Sequence, residues 1–385
     1  MNIKPIQLPL TEHIHTRAAR AGIPLSGTFE LTPCCNMACK MSYVRKTKQE
    51  QEAIAPLRTA EEWIRLGRTA RDAGMLYLLL TGGEPFLRPD LRQILSRLNS
   101  LGLVITINSN GTLIDASVVD WLKQTPPARI NITLYGASDE TYGRLCGNPH
   151  GFSQVVRAIR LLKQAGIAVK LNCSVTPDNA HDLERMFAFA REEELILQAT
   201  SYMFPPLRRD AAMVGRNDRF TPEEAAWQNA RIVCQSWGEE RFLEYMDAEE
   251  SRSLPAEPGE DCPELPVEGG GMRCRAGRCS FWVTWDGRML PCGMFPGEDA
   301  ANVLDGDFAA QWQRVREQVA QIRLPAGCTA CSLRDSCRAC AAMVLTETGG
   351  FDRIPEYRCR MSKSVDDTCR TLARQLRRQK GERSQ

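Results

Sequence analysis

Leu31-Thr-Pro-Cys-Cys35-Asn-Met-Ala-Cys39-Lys-Met-Ser42-Tyr43 follows a β-rich run, Thr28–Thr32, and sets Cys35 and Cys39 just past its end. One strand later, Leu80 runs into Thr81-Gly-Gly-Glu-Pro85, where two glycines let backbone approach a ligand and Glu84 adds an acceptor for a cation. Further β-rich runs are Met75–Leu80, Leu103–Ser109, Arg129–Tyr135, Ile167–Val175 and Leu195–Ser201, with helical patterns between them. Thr59-Ala-Glu-Glu62 reads as a capping box, opening a helix through Trp63, Leu66 and Ala70 to a stop at Gly74. Asp90 caps a second helix, with Leu91, Ile94, Leu95 and Leu98 on one face; Val155, Val156, Ile159 and Leu162 repeat at helical spacing between Gly151 and Gly166. Strands alternating with helices predict an α/β fold of parallel units, six of them countable. In barrels of such units the active groups sit at the C-terminal strand ends, which is where Cys35 and Cys39 fall.

The 385 residues are 43% apolar and 25% charged, ordinary proportions for a globular protein of two or three domains. A net charge of +2 gives no electrostatic case for nucleic acid or membrane. The longest apolar run near a motif, Met75–Leu80, is far too short to span a bilayer. Met1–Leu10 lacks the apolar core of a secretory signal, so the expectation is a cytoplasmic protein. Cysteine is the outlier: 16 residues, with Cys34, Cys35 and Cys39 in one group and eight more between 274 and 359. Without a secretory signal, metal-binding or catalytic thiols outrank disulfides.

With Cys35-x3-Cys39 on the loop after the first strand and Gly82-Gly83-Glu84-Pro85 after the second, the sequence resembles the radical S-adenosylmethionine (SAM) superfamily. The resemblance implies a partial (β/α)6 TIM-like barrel and a 4Fe–4S cluster held by three thiolates, with SAM chelating the open iron. It implies that Gly82, Gly83, Glu84 and Pro85 hold the methionyl amine, with Tyr43 beside the cluster. Strand position places Asn110, Thr133 and Asn172 near the ribose and carboxylate. The third thiolate of the family pattern falls on Ser42, a harder and less acidic donor. Every neighbour from Cys35 to Tyr43 fits, so the expected cysteine position is Ser42, natural or engineered, and the cluster there is weakened. Cys34 is the nearest substitute, but it adjoins Cys35 and points the other way in an extended segment.

The second group runs Cys274-x4-Cys279, Gly287-x4-Cys292, Cys328-x2-Cys331-x5-Cys337-x2-Cys340 and Cys359. By spacing alone, eight thiols suit two tetrahedral zinc sites. Beside the upstream units, the run resembles the SPASM domain, a small cysteine-rich α+β extension holding auxiliary iron–sulfur clusters. The gap before Cys340 is one residue shorter than in the family pattern. The resemblance implies a first auxiliary 4Fe–4S cluster on Cys274, Cys279, Cys292 and Cys340, with Cys262 competing for a place. It implies a second on Cys328, Cys331, Cys337 and Cys359. Cys146, Cys173, Cys234 and Cys369 follow no ligand spacing and read as buried thiols.

The expected organisation is an N-terminal extension over 1–26, the barrel core over 27–203, a bridge over 204–271, the SPASM domain over 272–361 and a basic, solvated helix and tail over 362–385. Thr221-Pro-Glu-Glu224 starts a helix in the bridge, and Phe281–Trp285 and Arg288–Leu290 form a hairpin around Asp286-Gly287. Arg208 and Arg209, after the sixth strand, read either as part of a packed turn or as a binding pair for a carboxylate or an acidic peptide. The resemblance implies an enzyme that cleaves SAM to a 5′-deoxyadenosyl radical and takes hydrogen from a peptide or protein, as in sulfatase or ribosomal-peptide maturation. No catalytic acid or base is named by the sequence. The partner implied is a flavodoxin- or ferredoxin-type reductant; a leader-bearing peptide is expected to be recognised by the bridge, the SPASM surface or a separate leader-peptide-binding protein. The alternatives are a small-molecule substrate or a non-catalytic homologue that binds SAM or peptide.

Overall fold

The computed structural model describes residues 10–248, 270–297 and 299–383; Cys262 and the residues before Leu10 lie outside them. Six strands follow the predicted runs: β1 Ser26–Glu30, β2 Tyr77–Thr81, β3 Val104–Ser109, β4 Arg129–Thr133, β5 Val169–Ser174 and β6 Leu197–Thr200. Each pairs in parallel with the next, and helices such as Ala60–Asp72, Leu91–Asn99 and Gly151–Gln164 connect them. Alternation was a sound guide here because each strand buries Leu, Ile or Phe against a helix, at roughly 1.5–3 kcal/mol per side chain. Phe29, Leu80, Ile107, Ile132 and Leu171 are fully buried along successive strands.

The sheet does not stop at β1. β7, Ser280–Val283, pairs in parallel with the other edge of β1, Ser26 opposite Ser280, and β8, Met289–Leu290, returns antiparallel to it. The strand order is β6-β5-β4-β3-β2-β1-β7-β8, so the hairpin of the cysteine-rich region extends the barrel sheet. Phe281 and Val283 are buried on it, and the Phe281 ring meets Phe29 at 6.5 Å.

The local start signals at Thr59 and Thr221 form: both are capping boxes, closed by Glu62 and Glu224. Asp90 does occupy an N-cap, but its side chain does not cap. It takes the buried Arg88 guanidinium at 2.6 and 2.8 Å, while Arg88 donates to Leu31 O at 2.8 Å beneath the cysteine loop. The solvated C-terminal tail is also corrected. One helix, Glu356–Arg383, buries Cys369, Leu372 and Ala373 against the helices Pro222–Trp237 and Glu239–Ala248. Cys146, Cys173 and Cys234 are buried as expected. Among the described residues, no helix is long and apolar enough to cross a membrane.

Two buried ion pairs tie the layers together. Glu347, in the helix Ala341–Thr348, accepts from Tyr202 Oη at 2.7 Å and from Arg219 at 2.6 and 2.9 Å, and Arg219 stacks 3.5 Å over the Tyr357 ring. Glu30, at the end of β1, accepts from Arg208 at 2.5 and 2.7 Å and from Trp282 Nε1 at 2.7 Å. Arg208 therefore serves inside the protein and is not an open carboxylate receptor.

Candidate active site

The cysteine loop is laced to the glycine loop by backbone. Gly83 N donates to Thr32 O at 2.7 Å and Glu84 N to Cys34 O at 2.9 Å. Gly82 has φ of 141°, and a Cβ on it would stand 2.2 Å from Thr32 O; one on Gly83 would stand 2.2 Å from Cys34 O. Only glycine lets these two strand ends approach so closely.

Glu84 is fully buried and turned inward. It accepts from Phe86 N at 3.1 Å, Ser109 Oγ at 2.9 Å and Asn110 N at 2.7 Å. Burial pushes its carboxyl up to about 7, against the pull of those three donors. An acid raised in the folded state holds its proton where the unfolded chain, at 4.5, has released it. Stability therefore falls as pH rises from about 4.5 through about 7, by about 3 kcal/mol for this group. The cofactor-free chain is expected to show that loss in urea unfolding between about pH 5 and pH 8, and Glu84→Gln to flatten it. An equal slope in the variant would contradict the assignment.

The thiols differ in their surroundings. Cys35 Sγ accepts from Met37 N at 3.4 Å and Asn110 Nδ2 at 3.6 Å, while burial pushes the thiol up to about 11. Cys39 is held below its ordinary value, first by a hydrogen bond from the Cys146 thiol and also by one from Tyr135. Cys146, at the end of the helix Asp139–Cys146, is brought there by Ala38 N donating to its carbonyl at 2.7 Å. The pair keeps its proton on Cys146 and leaves Cys39 the more thiolate-like, the form that binds metal. Nothing in the spacing of Cys146 announced this contact.

Ser42 is in the same loop, its N–H donating to Cys39 O at 3.2 Å. Its Oγ accepts from Arg45 N at 3.2 Å and its carbonyl from Arg209 at 3.2 Å. Arg209 thus braces the cysteine loop. Cys35 and Cys39 offer the soft sulfur donors an iron–sulfur cluster takes, while the Ser42 hydroxyl beside them is a hard donor that fits such a cluster poorly.

Cys35, Cys39 and Ser42 line a cavity of about 710 Å³, with Gly82, Gly83, Tyr43, Asn110 and Thr133. Glu84, Pro85 and Asn172 are not among its lining residues; Asn172 stands beside Thr133 in the β4–β5 register. The cysteine-rich region also lines it, through residues that include Cys274 and Cys340. Cys274, Cys292 and Cys340 pack against one apolar cluster, while Cys279 is fully buried in another. Burial raises the Cys328 thiol, and Cys337, Cys359 and Cys331 lie within electrostatic reach of it. Among the described residues, no three His, Cys, Asp or Glu side chains are grouped so as to hold a single metal ion.

The partial barrel carries thiols and a glycine loop at its strand ends, and the cysteine-rich region shares its cavity. Residues 29–190 match the Radical SAM superfamily, and this part of the chain is a radical SAM domain. Members of that superfamily are enzymes. The chain is 23% identical over 351 residues to the AdoMet-dependent heme synthase of Methanosarcina barkeri, covering 86% of this chain and 95% of that one. It is 25% identical over 362 residues to the PqqA peptide cyclase of Gluconobacter oxydans, covering 89% and 94%. The solved structure of Streptococcus suis SuiB bound to precursor peptide SuiA matches with a TM-score of 0.65 at 17% identity, covering 92% of this chain and 83% of that one. At that identity the likeness speaks for the fold.

Proposed function

We propose that the chain is a SPASM-type radical SAM enzyme that abstracts hydrogen from a peptide or protein substrate. The observation that carries this reading is the single cavity shared by Cys35, Cys39, the Gly82-Gly83 backbone and the Cys274–Cys340 wall. Cys35 and Cys39 would hold a 4Fe–4S cluster, which when bound and reduced by an external one-electron donor would supply the reducing power for SAM cleavage. In this reading the Gly82 and Gly83 backbone receives the methionyl amine, and Asn110 and Thr133 orient the ribose side. Glu84 holds the glycine loop in place from beneath through Asn110 N and Ser109. Tyr43 and Tyr135 wall the cavity and exclude water from the reacting centre. Cys274, Cys279, Cys292 and Cys340 would hold one auxiliary cluster, and Cys328, Cys331, Cys337 and Cys359 a second; such clusters would supply one-electron transfer.

The peptide reading is supported by the PqqA peptide cyclase relative and by the peptide-bound fold neighbour. A small-molecule substrate is the second reading, favoured by the heme synthase relative, which aligns with most of both chains. The two separate in one assay. With SAM and dithionite under anaerobic conditions, a low-molecular-weight extract of the source cells should stimulate 5′-deoxyadenosine formation. Protease treatment of that extract should abolish the stimulation if the substrate is a peptide; survival of the stimulation would overturn the peptide reading.

A further inference from the structure

Cys146 fits no ligand spacing in the sequence, yet the fold brings it against the cysteine loop. The residues on either side of Cys39 are both tied to the end of the helix Asp139–Cys146. Ala38 N donates to Cys146 O at 2.7 Å, and Lys40 N to Leu145 O at 3.3 Å. Gly147 then turns the chain away with φ of 68°, and a Cβ on it would stand 3.6 Å from that of Ala38. Cys39 is thereby held opposite Cys146, and the two side chains meet in a thiol–thiol hydrogen bond. Both are free thiols.

The two differ in access. Cys39 lines the cavity of about 710 Å³, whereas Cys146 is fully buried and does not. A small molecule in the cavity therefore meets Cys39 first, with Cys146 behind it. The other cysteines of the loop are engaged elsewhere: Cys35 Sγ accepts from Met37 N at 3.4 Å and Asn110 Nδ2 at 3.6 Å, and Cys34 pairs through its backbone with Lys46. An accessible thiol backed by a buried one in contact with it is the arrangement that thiol–disulfide exchange needs, one sulfur to enter and one to resolve.

We propose that Cys39 and Cys146 form a redox-modification site, which exchanges with a low-molecular-weight disulfide and closes into a Cys39–Cys146 disulfide when the loop carries no metal. The Cys39 sulfur attacks one sulfur of the small disulfide, forming a mixed disulfide and releasing one thiol. The Cys146 sulfur then attacks the Cys39 sulfur, forming the internal bond and releasing the second thiol. The two protein thiols give up two electrons and two protons, and the small disulfide takes both and leaves as two thiols. While that bond lasts, Cys39 has no thiolate to offer a cluster, and it is kept from the irreversible sulfinic and sulfonic acids. The exchange is independent of the substrate, so it stands or falls apart from the peptide reading.

The probe is 2-hydroxyethyl disulfide, small enough to enter the cavity, added to the full chain after anaerobic removal of iron by chelation. Free thiols are then alkylated, and the digest is mapped by mass spectrometry without reduction. The expected product is a pair of peptides joined through Cys39 and Cys146, separated again by dithiothreitol. In Cys146→Ser the reaction should halt one step earlier, and the mixed disulfide on Cys39 should rise by about tenfold or more over the unaltered chain. Cys35→Ser keeps both partners and should give the joined pair in unchanged yield. Cys39 joined to Cys34 or Cys35 instead, Cys39 left unmodified while other thiols react, or equal mixed disulfide on Cys39 with and without Cys146 would overturn the proposal.

Discussion

Ser42→Cys is expected to raise iron bound at the Cys35–Cys39 site and to raise 5′-deoxyadenosine formation by about ten- to a hundredfold. Removing a group that merely supports a metal ligand typically costs that much, and here a ligand itself is at stake. The hydroxyl is hard and holds its proton; a thiolate is soft and is the ligand iron–sulfur clusters take. The loop can accept the change. Ser42 lies one backbone hydrogen bond from Cys39, and its Oγ only accepts from Arg45 N, a role a sulfur can fill at slightly longer range. Iron and sulfide per chain, read beside SAM cleavage, check the outcome. Equal iron and equal 5′-deoxyadenosine in both forms under dithionite would show that the present donors already suffice.

The second large effect belongs to the Glu30–Arg208 pair. Arg208→Met is expected to destabilise the chain by about 3–5 kcal/mol, the usual cost of leaving one member of a buried ion pair without its partner. Glu30 is almost fully buried, and Trp282 Nε1 would remain its one strong donor. The double change Glu30→Gln with Arg208→Met should recover much of the loss, since the amide carbonyl can still accept from Trp282. Urea unfolding of the single and double variants makes the comparison. A loss below about 1 kcal/mol in the single variant would place the pair with solvent-screened bridges. The consequence reaches the site. Glu30 ends the strand that leads into Cys34 and Cys35, and Arg208 also donates to Gly293 O at 3.0 Å, next to Cys292. The pair ties the strand before the cysteine loop to the segment that carries Cys292.

Features encoded by near neighbours were readable before the structure. Thr59 with Glu62, and Thr221 with Glu224, announce helix starts because both partners lie within one turn. The six strands were readable because each alternates with an amphipathic helix. The pairing of β7 with β1 was not, because it joins residues some 250 positions apart and needs only a short apolar run. Asp90 was misread as a cap because Arg88, two residues before it, needs its charge more than the helix does. The spacing Val365, Cys369, Leu372, Ala373 did carry a buried-face signal, masked by the surrounding arginines.

The candidate site divides the same way. Cys35, Cys39 and the two glycines are contiguous motifs, and the structure brings them to one cavity. The contact of Cys146 with Cys39 joins residues far apart in the chain and exists only once it folds.

The most direct measurement is SAM cleavage by the unaltered chain. Purified and reconstituted without oxygen, then given SAM and dithionite, it should form 5′-deoxyadenosine and methionine, with iron and sulfide bound and the yield rising in Ser42→Cys. Bound zinc without iron, or iron with no 5′-deoxyadenosine from either form, would contradict a radical SAM enzyme built on Cys35 and Cys39.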